Sequence, residues 1–213
     1  MWLGGIEIAA FLSGTMFTGI VEESGRVIRF ESTADAWSLV IAARTLLTGL
    51  SIGDSVAVDG CCLTASGFDA TTVWFDVLEE TRQRTHFSTL QPGIGVNLEG
   101  SLRAGGKLGG HFVTGHIDTT GTIEVLESRG RDHYLRIRVP PEQRHLLVTK
   151  GSVAVDGVSV TVAELDGDTF SVWLIPHTLA ATTWREKRPG GTVNIEFDLL
   201  GKYVERLLSV RPA

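Results

Sequence analysis

The chain has 213 residues, of which 43% are hydrophobic and 21% are charged, and its formal net charge is −6. This length allows one large core or two small cores of roughly 90–100 residues each. The densest basic stretches, residues 82–84 and 185–188, are too sparse to indicate a nucleic-acid partner. No apolar run reaches the ~18 residues of a membrane helix, so a membrane-embedded protein is not expected.

The two cysteines of the chain, Cys61 and Cys62, are adjacent in sequence. Neighbouring side chains on a strand point to opposite faces, so a disulfide between them is disfavoured. Without a disulfide framework, the default location is the reducing cytoplasm. Residues 1–15 lack a positively charged start and therefore do not predict a signal peptide.

In chain order, the N-terminal half predicts short strands joined by turns. Apolar and polar residues alternate within each segment, which is the strand pattern, and Gly, Pro and Asp mark the turns. These segments are residues 16–27, 38–42, 55–65, 73–78 and 92–99. Residues 43–50, between the second and third segments, are expected to hold no more than a helical turn.

The C-terminal half repeats this series. The six residues Ser-Val-Ala-Val-Asp-Gly stand at 55–60 and again at 152–157, an offset of 97. The other segments recur at offsets of 96 or 97, as residues 113–123, 134–138, 170–175 and 189–196. Residues 141–149 correspond to residues 43–50 and are likewise expected to hold a helical turn. About six short strands per half with closely spaced turns predict a closed antiparallel barrel or a sandwich. Because closure removes exposed strand edges, we predict an all-β protein of two tandem, six-stranded antiparallel barrels joined around residues 103–110.

The C-terminal tail predicts a helix. Asp198 is placed to cap it, and its apolar residues recur at helical spacing. These residues are Leu199, Leu200, Tyr203, Val204, Leu207 and Leu208. After two complete barrels little core remains to be covered, so a subunit contact is favoured over packing on the helix's own barrel.

Five motifs, in this order, resemble the riboflavin synthase family of the alpha-chain type. They are Met-Phe-Thr-Gly-Ile-Val at 16–21, Gly-Cys-Cys-Leu-Thr at 60–64, Leu-Gly-Gly-His-Phe-Val-Thr-Gly-His-Ile-Asp at 108–118, Val-Asp-Gly-Val-Ser-Val-Thr at 155–161 and Ile-Pro-His-Thr-Leu at 175–179. The resemblance runs from Met16 to about Leu208. In the family the first motif begins the protein, so residues 1–15 are expected to be an extension that is disordered or absent from the native chain. Gly100 replaces a more usual arginine, which is expected to remove an ion pair and loosen the domain junction.

The resemblance implies a domain plan and a reaction. Residues 16–108 and 109–197 would form two lumazine-binding Greek-key barrels, and residues 198–210 a helix that holds a homotrimer together. Two molecules of 6,7-dimethyl-8-ribityllumazine would dismutate by four-carbon transfer to riboflavin and 5-amino-6-ribitylaminouracil. The substrates would lie between the N-terminal barrel of one subunit and the C-terminal barrel of another, without metal or organic cofactor. Lumazine synthase would be a further partner.

The resemblance also implies site residues, with Cys62, His116 and Ser55 as the catalytic candidates. The pocket of the N-terminal barrel would be lined by Leu63, Thr64, Asp76, Val77, Leu78, Glu79, Glu80 and Thr81, and closed from the opposite barrel by Gly115 and Ile117. The pocket of the C-terminal barrel would be lined by Lys150, Ser159, Val160, Thr161, Trp173, Leu174, Ile175, Pro176, His177 and Thr178, and closed by Gly19, Ile20 and Val21.

Two of the catalytic candidates, Cys62 and Ser55, also have a structural alternative. A Cys62 thiolate could add to the substrate or exchange a proton, but most free cysteines are small buried hydrophobes. His116 titrates near neutrality and suits proton transfer. His111 is five residues away, so on a strand it would face the other side, which disfavours a shared metal site and indicates a structural or surface role. Ser55 could equally form a strand-end hydrogen bond, since Ser152 repeats it.

Two other classes of function remain open on the sequence. One is a non-catalytic lumazine- or flavin-binding protein on the same duplicated barrel, which the presence of Cys62, His116 and Ser55 disfavours. The other is a two-barrel module of another flavoenzyme family, which is disfavoured because no Gly-x-Gly-x-x-Gly opens a helix after the barrels.

Overall fold

A computed structural model describes residues 16–33 and 36–210, so the predicted extension at residues 1–15 lies outside the described residues. The first barrel comprises β1 (Glu23–Ser32), β2 (Trp37–Ala42), β3 (Ser55–Val58), β4 (Cys61–Phe68), β5 (Thr72–Val77) and β6 (Gly95–Gly100). All neighbours are antiparallel, and the ring closes in the order β1-β2-β5-β4-β3-β6. Helix α1 (Glu79–Arg84) and a 3-10 turn (His86–Thr89) connect β5 to β6.

The second half repeats this arrangement. Its strands are β7 (Thr119–Arg129), β8 (Asp132–Arg138), β9 (Ser152–Val155), β10 (Val158–Thr161), β11 (Glu164–Asp166), β12 (Thr169–Leu174) and β13 (Thr192–Phe197). They form one antiparallel sheet in the order β10-β9-β13-β7-β8-β12-β11. A 3-10 turn (Pro141–Leu146) follows β8, and helix α2 (Pro176–Ala181) and a 3-10 turn (Thr183–Glu186) follow β12. We call this half the second barrel.

The second barrel departs from the predicted six strands because one strand is interrupted. Consecutive strands β10 and β11 are the two edges of the sheet, and together they follow the path that β4 takes in the first barrel. Between them, Val162 N–H donates to the Gly151 carbonyl at 2.9 Å and Ala163 N–H donates to the Ser171 carbonyl at 2.8 Å. The interrupted segment therefore keeps one backbone hydrogen bond to the chain on each side, although it does not have strand geometry. The predicted duplicated all-β architecture is confirmed.

The repeated Ser-Val-Ala-Val-Asp-Gly segments form two hairpins whose tips touch. Asp59 and Gly60 have φ of 41° and 80°, and Asp156 and Gly157 have φ of 45° and 76°, as two-residue hairpin turns require. A Cβ added to either glycine would lie 2.7 Å from the backbone nitrogen of the other. Only glycine fits at this contact, which brings the two barrels together backbone to backbone.

Each barrel has its own core. In β4, Cys61, Leu63 and Ala65 point inward and are buried, whereas Cys62 and Thr64 lie on the outer face. The largest residues of the two cores include a matched pair, Phe87 in the first and Trp184 in the second, 97 residues apart. Burying one such aromatic side chain contributes about 3 kcal/mol. The barrels are therefore separately stabilised, and their outer faces are available for other contacts.

A third buried cluster lies between the barrels. Phe17 and Val113 form a β-bridge, with the Phe17 N–H 2.7 Å from the Val113 carbonyl and the Val113 N–H 3.2 Å from the Phe17 carbonyl. Both side chains pack against Ala57 and Ala154 of the two hairpins. The segment that begins each half is therefore anchored beside the other half.

Helix α3 (Leu199–Ser209) confirms the predicted C-terminal helix. The Asp198 carboxylate accepts the Leu200 N–H at 3.0 Å, which caps the helix. Lys202 pairs with Asp118 of the second barrel at 2.8 Å. The apolar residues Leu200, Tyr203, Val204, Leu207 and Leu208 are more than half exposed. Among the described residues, no helix is long and apolar enough to cross a membrane.

Candidate active site

Cys62 lies on the outer face of β4, where a loop of the second half crosses it. The Cys62 N–H donates to the Gly115 carbonyl at 2.8 Å. Gly115 has φ of 80°, and a Cβ there would lie 2.5 Å from the Cys62 Cβ, so the loop can approach this closely only with glycine. His116 follows directly and is exposed. The loop that carries His116 is therefore held against Cys62, although the two candidates come from different halves of the chain.

The third candidate, Ser55, is also here. Its side chain forms a hydrogen bond with Cys62. Burial raises the pKa of the Cys62 thiol, and the hydrogen bond from Ser55 opposes that rise only in part. Burial raises the pKa of Cys61, which faces the core, to about 12. At neutral pH Cys62 is therefore a thiol. A thiol is suited to donate a proton, whereas a nucleophile would require the thiolate.

A buried carboxylate holds the loop that carries His116. Oε1 of Glu196 accepts the N–H and the hydroxyl of Thr114, both at 2.7 Å, and Oε2 accepts the Gly115 N–H at 2.9 Å. Glu196 lies on β13 with 1% of its surface exposed. Burial raises the pKa of Glu196, and the bonds from Thr114 and Gly115 oppose the rise. One carboxylate of the second barrel thus accepts three of the hydrogen bonds that position the loop.

The same arrangement occurs on the other barrel. Glu99 accepts the N–H of Thr18 at 2.6 Å, its hydroxyl at 2.7 Å and the Gly19 N–H at 2.9 Å. The Gly19 carbonyl in turn accepts the Ser159 N–H at 2.8 Å. Ile20 is therefore presented beside Ser159 as His116 is beside Cys62. We call residues 18–21 and 114–117 the crossing loops, the Cys62 side the first pocket and the Ser159 side the second pocket.

The last residue of each crossing loop contacts the core of the barrel that it crosses. Ile117 is half-buried against the first core, and Val21 is half-buried against the second. Each barrel therefore contributes both a core residue and a pocket wall to the other. The predicted closing residues of both pockets, Gly19 to Val21 and Gly115 to Ile117, occupy these loops.

Not all predicted lining residues can offer a side chain to a ligand. Four of them have their side chains buried in a barrel core, because they occupy inward positions of their strands. These four are Leu63, Val77, Val160 and Leu174. At these positions only the backbone can line a pocket.

The remaining residues of the first pocket lie on outer positions or on α1. Thr64, Asp76 and Leu78 are exposed, and Thr81 is half-buried with its carbonyl accepting from Thr85. In contrast, Glu79 is paired with Arg82 at 2.6 Å and accepts the indole N–H of Trp37 at 2.6 Å, and Glu80 is paired with Arg84 at 3.0 Å. These contacts occupy the carboxylate of Glu79 much more fully than that of Glu80.

The second pocket has a more aromatic lining. Trp173, at the position of Asp76 in the first repeat, is 46% exposed and lies edge-on to Tyr134, with ring centroids 5.4 Å apart. Most of the other residues predicted to line the second pocket are at the protein surface. Thr161, Ile175, Pro176, His177 and Lys150 are exposed, and Thr178 is half-buried. Lys150 has φ of 68° and its N–H donates to the Val162 carbonyl at 2.8 Å, so its backbone is fixed.

His111, for which a structural or surface role was expected, lies against the second pocket. Its Nδ1 lies 2.7 Å from the Ser159 hydroxyl, and the residue is buried. The prediction assumed strand geometry, whereas the segment around His111 is irregular apart from the bridge at Val113. His111 nevertheless faces Ser159 while the loop of His116 crosses Cys62, so the two histidines lie at different pockets.

Sequence reasoning also missed a buried ionic cluster between the barrels. His86 Nε2 lies 3.0 Å from Asp59 and 3.5 Å from Asp156, and the Lys187 ammonium lies 2.6 Å from Asp156. Burial lowers the pKa of His86, but the two carboxylates outweigh it and the net change is a rise. One histidine and two carboxylates are within metal-ligating distance of one another. Because the Lys187 ammonium already pairs with Asp156, this geometry favours an ion-pair network over a metal site.

A cleft of about 860 Å³ is lined mainly by residues of the first half of the chain. It is lined by Ser55 and Ile20 and by the segment that includes Gly100. A Cβ at Gly100 would lie 3.7 Å from the Glu22 carboxylate, and burial raises the pKa of Glu22. A side chain at position 100 would therefore begin beside the Glu22 carboxylate, and whether an ion pair is lost there stays a prediction.

Comparison with known proteins agrees with this architecture. The lumazine binding domain family matches twice, at residues 18–101 and 114–198. The chain is 43% identical to riboflavin synthase of Bacillus amyloliquefaciens, over 91% of this chain and 90% of that protein. It is 42% identical to riboflavin synthase of Mycobacterium bovis, over 91% and 98%, and 38% identical to that of Actinobacillus pleuropneumoniae, over 93% and 92%.

Solved structures extend the likeness to ligand-bound proteins. LumP complexed with 6,7-dimethyl-8-(1'-D-ribityl) lumazine has a TM-score of 0.77 at 25% identity and covers 84% of this chain and 98% of its own. LumP complexed with riboflavin has a TM-score of 0.79 at 24% identity, over 85% and 98%. The duplicated barrels and crossing loops thus define a protein of the lumazine-binding barrel class. Within that class the chain belongs to the riboflavin synthase family of enzymes.

Proposed function

We propose that the protein converts two molecules of 6,7-dimethyl-8-ribityllumazine into riboflavin and 5-amino-6-ribitylaminouracil by transfer of a four-carbon unit. The identity to several riboflavin synthases supports the reaction. The single observation that carries it is the pair of equivalent pockets, each built from a strand of one barrel and a crossing loop of the other. A reaction between two copies of one substrate needs two such sites.

The pockets are related in shape but differ in chemistry. Cys62 with His116 forms the first pocket, and the corresponding positions in the second are Ser159 and Ile20. We propose that each pocket holds one lumazine and that their different groups separate the donor from the acceptor. Much of the rate would come from holding the two rings in a reactive orientation.

The catalytic roles follow from the state of each group. The thiol of Cys62, whose pKa is raised by burial, would deliver a proton and recover it, with Ser55 orienting the sulfur. His116 is exposed at the first pocket, where its imidazole would pass protons to and from the substrate. The hydroxyls of Thr81 and Thr178 suit the ribityl chain.

The two substrates would meet between subunits, with the N-terminal barrel of one facing the C-terminal barrel of another in a homotrimer. The exposed apolar face of α3 supports an assembly of this kind, because a monomer would leave it in water. The proposal keeps the domain plan of residues 16–108, 109–197 and 198–210. The same proposal includes a cytoplasmic location, an exchange of intermediates with lumazine synthase and the absence of a cofactor. These three points are supported only by membership of the riboflavin synthase family.

The direct test is to incubate the purified protein with 6,7-dimethyl-8-ribityllumazine alone. Riboflavin absorbance is followed and both products are identified by mass. Equal amounts of riboflavin and the aminouracil support the dismutation. Tight binding without product would instead assign the chain to the non-catalytic lumazine-binding proteins. The structural similarity to LumP, which was solved with the ribityl lumazine bound, is the reason to test this alternative.

A further inference from the structure

The second pocket contains a serine–histidine pair that has no counterpart in the first. Ser159 occupies the position that Cys62 holds in the first repeat, and its hydroxyl lies 2.7 Å from Nδ1 of His111. The first pocket instead pairs Cys62 with Ser55. Both pockets therefore support their central side chain with a hydrogen bond, but only the second uses a histidine for it.

The position of His111 is closely fixed. Its N–H donates to the Thr18 carbonyl at 3.1 Å. A Cβ on the preceding Gly110 would lie 2.7 Å from the Ser159 Cβ and 2.2 Å from the Thr18 carbonyl oxygen, so the segment is packed tightly on β10 and the crossing loop. Only 9% of the His111 surface is exposed.

The ring is also unusual in its polar contacts. Within residues 16–33 and 36–210, the buried Nε2 of His111 has no hydrogen-bond partner. Burial lowers the pKa of His111, and the Asp198 carboxylate at the start of α3 offsets this only in part. The ring is therefore neutral at neutral pH. A buried neutral imidazole whose one bonded nitrogen faces a hydroxyl is the arrangement of a base that acts through that hydroxyl.

We propose that Ser159 and His111 form a proton-transfer pair in the second pocket. Ser159 Oγ is the atom that meets the bound lumazine, and His111 is the positioning residue behind it. A proton passes from the substrate to Ser159 Oγ while the hydroxyl hydrogen passes to His111 Nδ1. The reverse transfer later delivers the proton to the product, so the pair ends as it began.

This pair deepens the proposed function and rests on it. In the dismutation, protons that leave methyl carbons of the lumazines must reach nitrogens of the aminouracil, because no oxidant or reductant takes part. Both pockets therefore need a group that carries protons. His116 with Cys62 serves the first, and the crossing loop of the second offers only Ile20 at the corresponding place. The Ser159–His111 pair supplies the missing carrier.

The kinetic test compares the wild type with His111→Asn, Ser159→Ala and the double variant. The Asn side chain can still hydrogen-bond Ser159 from the place of Nδ1, but it does not titrate. The kcat of lumazine turnover is measured from about pH 5 to about pH 9, a range that includes the ordinary pKa of histidine. We expect H111N to lose about a hundredfold in kcat with little change in KM and to lose an ionisation that lies below the usual histidine range. S159A should match it, and the double variant should be no worse.

An unchanged kcat and pH profile in H111N would overturn the pair, because a purely structural hydrogen bond survives this substitution. A second measurement requires no turnover. Nitrogen NMR of histidine-labelled protein should give a lowered pKa for His111 that changes in S159A. If the pKa of His111 has the ordinary histidine value and does not change in S159A, the proposed proton-transfer pair is refuted whatever the activity. If the NMR result holds and the wild type makes no riboflavin, it is the proposed function that fails.

Discussion

The ionic cluster between the barrels gives the sharpest test of how the two halves are held together. Asp59 and Asp156 have no exposed surface, and His86 and Lys187 supply the two positive charges that balance them. His86→Gln removes one charge and leaves one buried carboxylate uncompensated. Breaking a buried ion pair in this way costs about 3–5 kcal/mol.

The cost should depend on pH. The pKa of His86 is raised in the folded protein, so its charge contributes fully below the unfolded pKa of about 6.5. That contribution is lost as the pH rises through the higher folded pKa. The free energy of unfolding of the wild type should therefore fall over this window, and the curve of H86Q should lack the fall and approach that of the wild type at the alkaline end.

The assay is urea unfolding across a pH series, with Thr183→Val as the matched control. Thr183 occupies the position of His86 in the second repeat, and among the described residues its buried hydroxyl has no partner. Its removal should therefore change stability by less than about 1 kcal/mol. A loss in H86Q that equals that of T183V, or that is the same at every pH, would refute the argument for a charged His86.

Three further outcomes are expected. Glu196→Gln and Glu99→Gln each replace an acceptor of a loop N–H by an amide donor, which should cost about 2 kcal/mol in urea unfolding. E196Q should also lower turnover through the loop that carries His116, and unchanged kinetics would show that the loop does not need this anchor. Cys62→Ser should reduce turnover while lumazine affinity, measured by fluorescence titration, stays nearly intact; equal loss of both would make the residue structural. Removing the chain after Asp198 should give monomers in sedimentation velocity, and an intact trimer would contradict the role given to α3.

The repeat, the strands and their hairpins follow from the sequence. Alternation sorts Cys61 and Cys62 to opposite faces of β4, and the two Asp-Gly turns need positive φ that these residues tolerate. These features are local, because each depends on residues a few positions apart. The terminal helix is equally local, since Asp198 and the apolar spacing after it specify both its start and its exposed face.

Only the tertiary structure determines how each half places its crossing loop against the other half. The bond between Cys62 and Gly115, the pairing of His86 with Asp156 and the contact of His111 with Ser159 each join residues 48 or more positions apart. Alternation carries no information about which barrel a segment crosses, and it does not apply around His111 because that segment is not a strand. The two hairpin tips can touch only where both barrels are folded. The pockets are therefore a property of the paired barrels, since neither barrel contains all the groups of its own site.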